Sequence, residues 1–266
     1  MFTTNPFSIL AETVPPIGLQ SFVIVMVALV IIGTLVDIIH KKNVKYFFEN
    51  AKKAKLSATK TLSAGEKISV ISKTIVSDIA TTSELGAGKR RVAHLFGMYG
   101  TILFWTGSVI MIFCYSSPSS DTPSYWPIIW HVGAIMTVVG GSWFWFFLRV
   151  DVYSEAHPWY RIIKADLFVL ALIASSLFGL IWSCLQSLNL NDRWDDKAFL
   201  VLYIISNLAL FGGVYWSKFA HMFYKPGASI QKNLAEADGS RDNLPPPADA
   251  PEQYGLGIDR EKAKHY

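Results

Sequence analysis

Long apolar segments separated by polar ones dominate the chain. Five of them are long enough to cross a membrane, which takes about 20 residues; they are Ile17–Ile39, His94–Tyr115, Trp126–Leu148, Asp166–Leu188 and Ala198–Trp216. None shows the one-sided polar pattern that marks a surface helix of a soluble protein. The pattern therefore predicts an all-α protein, an integral membrane bundle of five transmembrane helices.

The composition supports this class. Apolar residues make up 52% of the 266 residues, and charged residues only 17%, whereas soluble chains average about 25% charged residues. The mean hydropathy is +0.33. These values exclude a disordered chain and disfavour an ordinary soluble domain. The two cysteines, Cys114 and Cys184, form no CxxC pattern, so an iron–sulfur cluster used by this system must lie on another subunit.

The basic residues predict how the chain is oriented in the membrane. Segment 40–93 carries twelve of the 24 Lys and Arg, and most of the others follow the third and fifth spans. Only Arg193 and Lys197 fall on the opposite side. By the positive-inside rule, the N-terminus lies outside and the C-terminus lies in the cytoplasm. This indicates a multi-pass protein of the inner, cytoplasmic membrane.

The pattern divides the chain into five parts. They are an outer N-terminal segment (1–16), the first transmembrane helix (17–39), a basic cytoplasmic insertion (40–93), a four-helix membrane core (94–225) and a flexible cytoplasmic tail (226–266). The insertion includes a helical pattern over Lys67–Ile79. Two roles remain open for it: contact with anionic lipid head groups, or docking of a soluble partner.

Two of the six histidines fall at the same membrane level. His94 lies at the cytoplasmic end of the second span and His221 at the cytoplasmic end of the fifth. Two imidazoles on facing helices are what a bis-histidine haem requires. Gly97 and Gly100 follow His94 at helical spacing and would let a flat macrocycle approach the backbone. The alternative is that both histidines are polar tips at helix ends.

The other histidines have weaker claims to a cofactor. His131 lies in the outer half of the third span, where it would hydrogen-bond a quinone head group, relay a proton or bond a neighbouring helix. His40, at the inner end of the first span, is the rival haem ligand. His157 lies in a cytoplasmic loop with a structural role expected, and His265 lies in the tail.

Several other polar side chains have defined expectations. Asp166 begins the fourth span and is expected to cap it, because a carboxylate at a helix start is favoured by the dipole. Cys114 and Cys184 both lie towards the outer face, where either a disulfide or small apolar packing is possible. Four basic residues near the candidate haem level would pair with its propionates: Arg90, Arg91, Lys218 and Lys225.

Short motifs in the last four spans carry a family resemblance. They are Arg90-Arg91-x-x-His94 in span two, Gly133-Ala134 and Gly140-Gly141 in span three, Ala165-Asp166-Leu167-Phe168 and Phe178-Gly179-Leu180 in span four, and Ser217-Lys218-Phe219-Ala220-His221 in span five. Over residues 90–226 the chain resembles the cytochrome b subunit of respiratory nitrate reductase and its relatives. Within that group it looks most similar to the membrane subunit found with adenylylsulfate reductase in sulfur-oxidising bacteria.

The resemblance implies a haem b subunit that carries electrons between membrane quinone and a cytoplasmic iron–sulfur/flavin reductase. Such a chain is an electron-transfer subunit rather than a complete enzyme, with no nucleic acid among its partners. The resemblance carries the axial ligands over to His94 and His221. Relatives commonly bind a second haem, but the matching positions fall near Phe104 and Tyr203, which do not ligate haem b. One haem is therefore expected. The alternative is a haem-free membrane anchor or assembly subunit.

Overall fold

The computed structural model describes residues 2–85, 88–149, 158–188, 190 and 193–240, with the side chain of His221 left out. Within these ranges the chain is helical and contains no strand. The all-α fold is therefore confirmed. His157 and His265 lie outside the described residues.

Nine α-helices occur in the described parts of the chain: α1 (Pro6–Leu10), α2 (Pro16–Lys41), α3 (Asn43–Leu56), α4 (Ala64–Thr74), α5 (Lys89–Cys114), α6 (Tyr125–Trp143), α7 (Leu167–Ser187), α8 (Trp194–Gly212) and α9 (His221–Asp238). Two of them continue as π-helical turns, α4 into Ile75–Ala80 and α6 into Phe144–Leu148. Short 3-10 turns precede α7 and α9, at Lys164–Asp166 and Lys218–Ala220.

The chain divides into two compact units, each built from parts that are distant in sequence. Unit 1 comprises Met1–Asp37 and Val92–Ala220, and unit 2 comprises Ile38–Arg91 and His221–Tyr266. Unit 1 holds α1, α6, α7, α8 and most of α2 and α5. Unit 2 holds α3, α4 and α9.

Four helices of the described chain are long and apolar enough to cross a membrane: Pro16–Lys41, Lys89–Cys114, Tyr125–Leu148 and Lys164–Ser187. They correspond to the first four predicted spans. The chain is therefore built as a multi-pass helical membrane protein.

The fifth predicted span corresponds to α8, but its bounds differ from the prediction. α8 begins at Trp194, so its first turn includes Asp195 and Asp196. It ends at Gly212 rather than at Trp216. Gly212 and Gly213 stand side by side at this point, and glycine is about 1 kcal/mol less favourable than alanine inside a helix. Beyond it the backbone forms turns, in which the Gly213 carbonyl accepts from the N–H groups of Trp216 and Ser217.

Glycines bring α5 and α6 into backbone contact. A Cβ added to Gly133 would lie 2.5 Å from the Phe104 nitrogen, and one added to Gly140 would lie 2.6 Å from the Gly97 nitrogen. No larger residue fits at either position without displacing a helix. Small residues at such contacts are the usual means by which membrane helices pack, because lipid supplies no hydrophobic drive for their association.

The N-terminal segment is tied to unit 1 through Asn5. Its amide nitrogen donates to the Tyr115 carbonyl at 2.9 Å and to the Thr122 hydroxyl at 3.0 Å. Its amide oxygen accepts from the Phe7 N–H at 3.0 Å and so caps α1. An asparagine at this position satisfies N–H groups that a helix start leaves unpaired. The cap holds Phe7 in the aromatic core.

In unit 2, a polar network joins α9 to the end of α4. The Asp78 carboxylate accepts from Asn233 at 2.7 Å, from Ser83 at 2.7 Å and from Ser229 at 3.3 Å. Burial raises the pKa of Asp78, but these hydrogen bonds outweigh it and leave the pKa below its ordinary value of 3.8. The anionic carboxylate therefore stabilises the contact between the two helices.

Two sequence expectations meet this unit. The helical pattern over Lys67–Ile79 is found as α4 and its π-helical turn, with a capping box between Ser63 and Glu66 at the start. The expectation of a flexible tail from residue 226 is wrong for 226–238, because these residues belong to α9. The hydrogen bonds of Ser229 and Asn233 to Asp78 fix this helix. The low apolar content of this segment predicted a flexible tail, because composition does not show that polar side chains can bond a distant carboxylate.

Candidate cofactor site

His94 lies one turn into α5, with its side chain exposed. Its neighbour Ala93 is buried and faces α6, since its carbonyl lies 2.7 Å from a Cβ added to Gly140. Gly97 follows His94 by three residues, and nothing lies within 4 Å of a Cβ added there. Residues three apart share one side of a helix. His94 and Gly97 therefore form an open face on α5 where a flat group has room beside the backbone.

The other glycine expected to face a macrocycle does not do so. A Cβ added to Gly100 would lie 2.6 Å from the Thr137 nitrogen and 2.8 Å from the Gly133 carbonyl oxygen. The backbone of α6 therefore occupies the space beside Gly100. This expectation was wrong because glycine spacing alone does not separate helix packing from cofactor contact.

His221 does not lie on α8, the helix that corresponds to the fifth predicted span. α8 ends at Gly212, and His221 is the first residue of α9, after the 3-10 turn Lys218–Ala220. The His221 side chain is outside the described part of the chain. The prediction that one continuous span carries His221 is thus corrected, because the glycine pair at 212–213 ends the helix before it.

Two of the four basic residues expected to pair with haem propionates have protein partners in unit 2. The ammonium of Lys225 lies 3.6 Å from a Glu84 carboxylate oxygen. The Nε–H of Arg91 donates to the Thr81 carbonyl at 2.7 Å. A propionate would have to compete with these contacts.

The positions that match a second haem ligand are filled by a packed aromatic cluster. Phe104 on α5 and Tyr203 on α8 contact each other edge to face, with ring centroids 6.4 Å apart. Phe104 also contacts Trp130 at 5.1 Å, and Tyr203 stacks on Trp182 at 5.8 Å. Phe104 is only 1% exposed, and both tryptophans are 0% exposed. A second haem in the middle of unit 1 therefore does not fit the residues present.

Hydrogen bonds complete this cluster. The Trp130 indole N–H donates to the Ser108 hydroxyl at 2.8 Å, and Phe7 of α1 contacts both Trp130 and Trp182. A buried aromatic side chain contributes several kcal/mol of stability. The cluster is accordingly the packed centre of unit 1.

His131 links two helices through both ring nitrogens. Nδ1 donates to the Pro127 carbonyl at 2.7 Å, and Nε2 lies 2.8 Å from the Ser183 hydroxyl on α7. The side chain is 0% exposed. Of the three roles expected for it, the helix–helix hydrogen bond is the one this geometry forms. His40, the rival ligand, is exposed in the last turn of α2.

Arg149 is a buried residue that sequence reasoning missed. Its guanidinium contacts Asp166 at 2.5 Å, donates to the carbonyls of Pro158 and Arg161, and lies 4.2 Å above the Trp145 ring. Asp166 also accepts from the Ile163 N–H at 2.9 Å, which caps the 3-10 turn before α7. It occupies the N-cap position of α7, but its side chain makes no capping bond to that helix, so the expected cap on the fourth span is not found. The ion pair joins the end of α6 to the start of α7.

In the part of the chain that the structure describes, Asp37, the two cysteines and the acidic and histidine groups show no further cofactor site. Asp37 is a carboxylate buried in α2, and a lone acidic residue in an otherwise apolar run was the signal that could have found it. Cys114 and Cys184 are both free thiols, so the disulfide alternative is not found. Among the described residues, no group of three or more His, Cys, Asp or Glu is placed to hold a metal ion.

The chain was compared with known proteins at three levels. No family model, no curated protein and no solved structure matches it.

Proposed function

We propose that this chain is the membrane subunit of an oxidoreductase complex, carrying electrons between the quinone pool and a cytoplasmic iron–sulfur/flavin reductase through one haem b. The observation that carries the proposal is the face of α5 where exposed His94 lies three residues before Gly97, with no described atom within 4 Å of a Cβ added to Gly97. A haem of this kind needs an imidazole ligand and room for its flat macrocycle. His94 would supply the imidazole, and Gly97 leaves room beside it.

Of the two ligands, the structure describes only His94. The second, on the sequence argument, is His221, for which the fold gives only a position at the start of α9. The bound haem supplies reversible one-electron chemistry. The chain would supply the imidazoles and an apolar environment that keeps water from the iron.

One haem, rather than two, is supported by the core of unit 1. The Phe104 and Tyr203 rings occupy the positions that match a second ligand pair. A quinone site near the cytoplasmic haem would remove the need for a second one. Ser175 on α7 and Asn207 on α8 are buried polar side chains that bond one another at 3.1 Å. This pair joins two helices, which favours helix packing over the lining of a transport path.

For the membrane arrangement we propose five spans, with α8 as the fifth, the N-terminus outside and the C-terminus in the cytoplasm. The charges of α8 are confined to its first turn, where Asp195 pairs with Arg193 at 3.0 Å. The remainder of α8 is uncharged. The lysine- and arginine-rich unit 2 would face the cytoplasm, as the positive-inside rule requires.

Unit 2 offers a surface for the soluble partner. Ile68, Ile75 and Val76 are exposed along α4 and its π-helical turn, two of them by more than 60%. Positions separated by seven or eight residues share one helix face. An apolar stripe on a water-exposed unit suits a protein interface. The sequence resemblance suggests adenylylsulfate reductase of sulfur metabolism as the partner.

The test is a reduced-minus-oxidised absorption spectrum of the purified chain, with a pyridine haemochrome assay for stoichiometry. We expect one haem b per chain, and its loss in His94→Ala and His221→Ala. His40→Ala is the control and should keep the haem. Gly97→Leu should lose it while folding normally, because no described atom lies within 4 Å of a Cβ placed there. Gly97→Ala should keep it.

A second candidate function is a haem-free anchor or assembly subunit, favoured by the filled aromatic core. A chain that is folded, isolated with its native partners and free of haem would reject the electron-transfer role in favour of the anchor. Haem that survives both His94→Ala and His221→Ala would keep the function but move the ligands, with His40 the next to test.

A further inference from the structure

Helix α3 begins immediately after a helix that is long and apolar enough to cross a membrane. α2 ends at Lys41, and α3 starts at Asn43. Lys42 between them has a φ of 54°, a left-handed conformation that interrupts the helix and changes its direction. Two residues span at most about 7 Å. If α2 crosses the bilayer, the start of α3 therefore lies at its surface.

One side of α3 packs within unit 2. Val44, Phe47 and Ala51 are half-buried and Ala54 is 3% exposed. Their spacing of three, four and three residues defines a single buried stripe. Among the described residues, the other side chains of α3 remain exposed.

The exposed side alternates lysine with large apolar residues. Lys45, Phe48, Lys52 and Leu56 recur at spacings of three, four and four, which places them on one face. Phe48 is 65% exposed and Leu56 is 87% exposed. Residues 41–56 hold six lysines and one glutamate, Glu49, which pairs with Lys45 at 3.7 Å. This face is both strongly basic and apolar.

We propose that this face of α3 lies on the cytoplasmic membrane surface, with the lysines against anionic lipid head groups and Phe48 and Leu56 inserted between them. A helix in the plane of the interface binds through the apolar area that it buries, together with the attraction of its basic side chains to anionic lipids. Each lysine near an anionic surface strengthens binding about fivefold. At 14 residues, α3 is about 21 Å long, enough to place all four stripe residues in the head-group layer.

A soluble protein or a second copy of the chain is the competing occupant of this face. The connection to α2 favours lipid, because a two-residue link leaves α3 little distance from the bilayer. The lysines add charge complementarity to anionic lipid. The proposal rests on the membrane placement in the proposed function but not on the haem. A negative haem assay therefore leaves it standing, and a negative result in the test below leaves the haem proposal standing.

The test uses the full chain in nanodiscs, with Cys114 and Cys184 changed to Ser and one cysteine introduced for a polarity-sensitive fluorophore. The label replaces Phe48 in one variant and Asn50, which is exposed on another side of α3, in the matched control. Ile31→Cys, 55% exposed in α2, reports whether α2 is in the bilayer. Quenching by lipids that carry a nitroxide near the head group is then measured.

With 30% phosphatidylglycerol in phosphatidylcholine, we expect the label at position 48 to be quenched at least threefold more than the label at 50. Lys45→Gln with Lys52→Gln should reduce that quenching several-fold. The charge-matched pair Lys67→Gln and Lys73→Gln should not. Equal, weak quenching at 48 and 50, while the emission of the Ile31 label reports an apolar environment, would overturn the proposal. A label at 48 with apolar emission but no quenching by lipid would also overturn it, because a protein would then cover this face.

Discussion

The rings of Phe104 and Tyr203, from helices α5 and α8, meet edge to face with centroids 6.4 Å apart. They lie 99 positions apart in the sequence and form the centre of the aromatic core with Trp130 and Trp182. Their contact means that the middle of unit 1 is filled by side chains. The haem proposed above therefore finds no room there, and its candidate ligand His94 lies ten residues before Phe104 on α5.

Phe104→Ala should destabilise the protein by about 3–5 kcal/mol, because it removes a ring from a packed core and leaves a cavity. The matched control is Phe113→Ala on the same helix, where the side chain is 43% exposed. It should cost less than about 1 kcal/mol. Unfolding of both variants by SDS titration in mixed micelles is the measurement. Equal losses would contradict the packed core.

Because α5 and α6 are in backbone contact, substitution by alanine should change the stability of the protein very differently at Gly133 and at Gly97. Gly133→Ala places a Cβ 2.5 Å from the Phe104 nitrogen, and overpacking of this kind costs about 1–3 kcal/mol. Gly97→Ala meets nothing within 4 Å and should gain about 0.5–1 kcal/mol from better helix propensity. Thermal unfolding followed by circular dichroism compares them. A neutral Gly133→Ala would show that the helices are further apart.

Substitution of His131 distinguishes a structural role, through its two hydrogen bonds, from a contact with quinone. His131→Phe leaves the Ser183 hydroxyl and the Pro127 carbonyl without their partner, at a cost of about 1–3 kcal/mol. We expect a lower unfolding temperature, with haem content and the rate of reduction by quinol unchanged. The reverse result, normal stability with slow reduction by quinol, would assign His131 to the quinone.

Removal of one partner from the buried Arg149–Asp166 pair should lower the free energy of unfolding far more than removal of one partner from an exposed pair. Arg149→Met leaves a buried carboxylate uncompensated and should cost about 3–5 kcal/mol. The double variant with Asp166→Leu should lose less, because neither charge then remains. Arg193→Met is the control: Arg193 is 57% exposed in its pair with Asp195, and such pairs contribute about 0–1 kcal/mol. Chemical unfolding of the wild type, Arg149→Met, Asp166→Leu and the double variant measures the coupling, with Arg193→Met unfolded beside them as the control.

Asp78 makes the attachment of α9 dependent on pH. Its pKa is below 3.8 in the folded protein, because hydrogen bonds from Ser83 and Asn233 outweigh the effect of burial. Its stabilising contribution is therefore complete above pH 3.8 and is lost as the pH falls through the lowered pKa. Amide exchange of α9, corrected for its intrinsic pH dependence, should accelerate only as the pH falls below 3.8.

In Asp78→Asn that acceleration should disappear, with α9 exchanging faster at every pH. Glu49→Gln, an exposed acidic change in the same unit, is the control and should keep the acceleration.

The Glu66 capping box is a separate element: hydrogen bonds from Lys60 and Ser63 lower the pKa of Glu66 to about 2. Exchange of α4 should therefore change only at the acid end of the titration.

The apolar runs alone predicted the helical class and the bounds of the first four spans to within a few residues. They did so because a helix in lipid must present apolar side chains on every side. Histidines in these runs were equally visible, so His94 and His131 became candidates from the sequence. What surrounds each of them was not visible. The open face beside His94 and the two bonds of His131 are both set by neighbouring helices.

Hydropathy and residue spacing are local properties, and they determined the all-α membrane class, the basic insertion and the candidate histidines of this protein. Only the tertiary structure decided that Gly100 packs on α6, that α8 stops at Gly212 before His221, and that Asn233 joins α9 to Asp78. Each of these depends on atoms far apart in the chain. The sequence does not show whether a helix backbone or open space lies beside a glycine. Only the packing of the helices distinguishes these two environments.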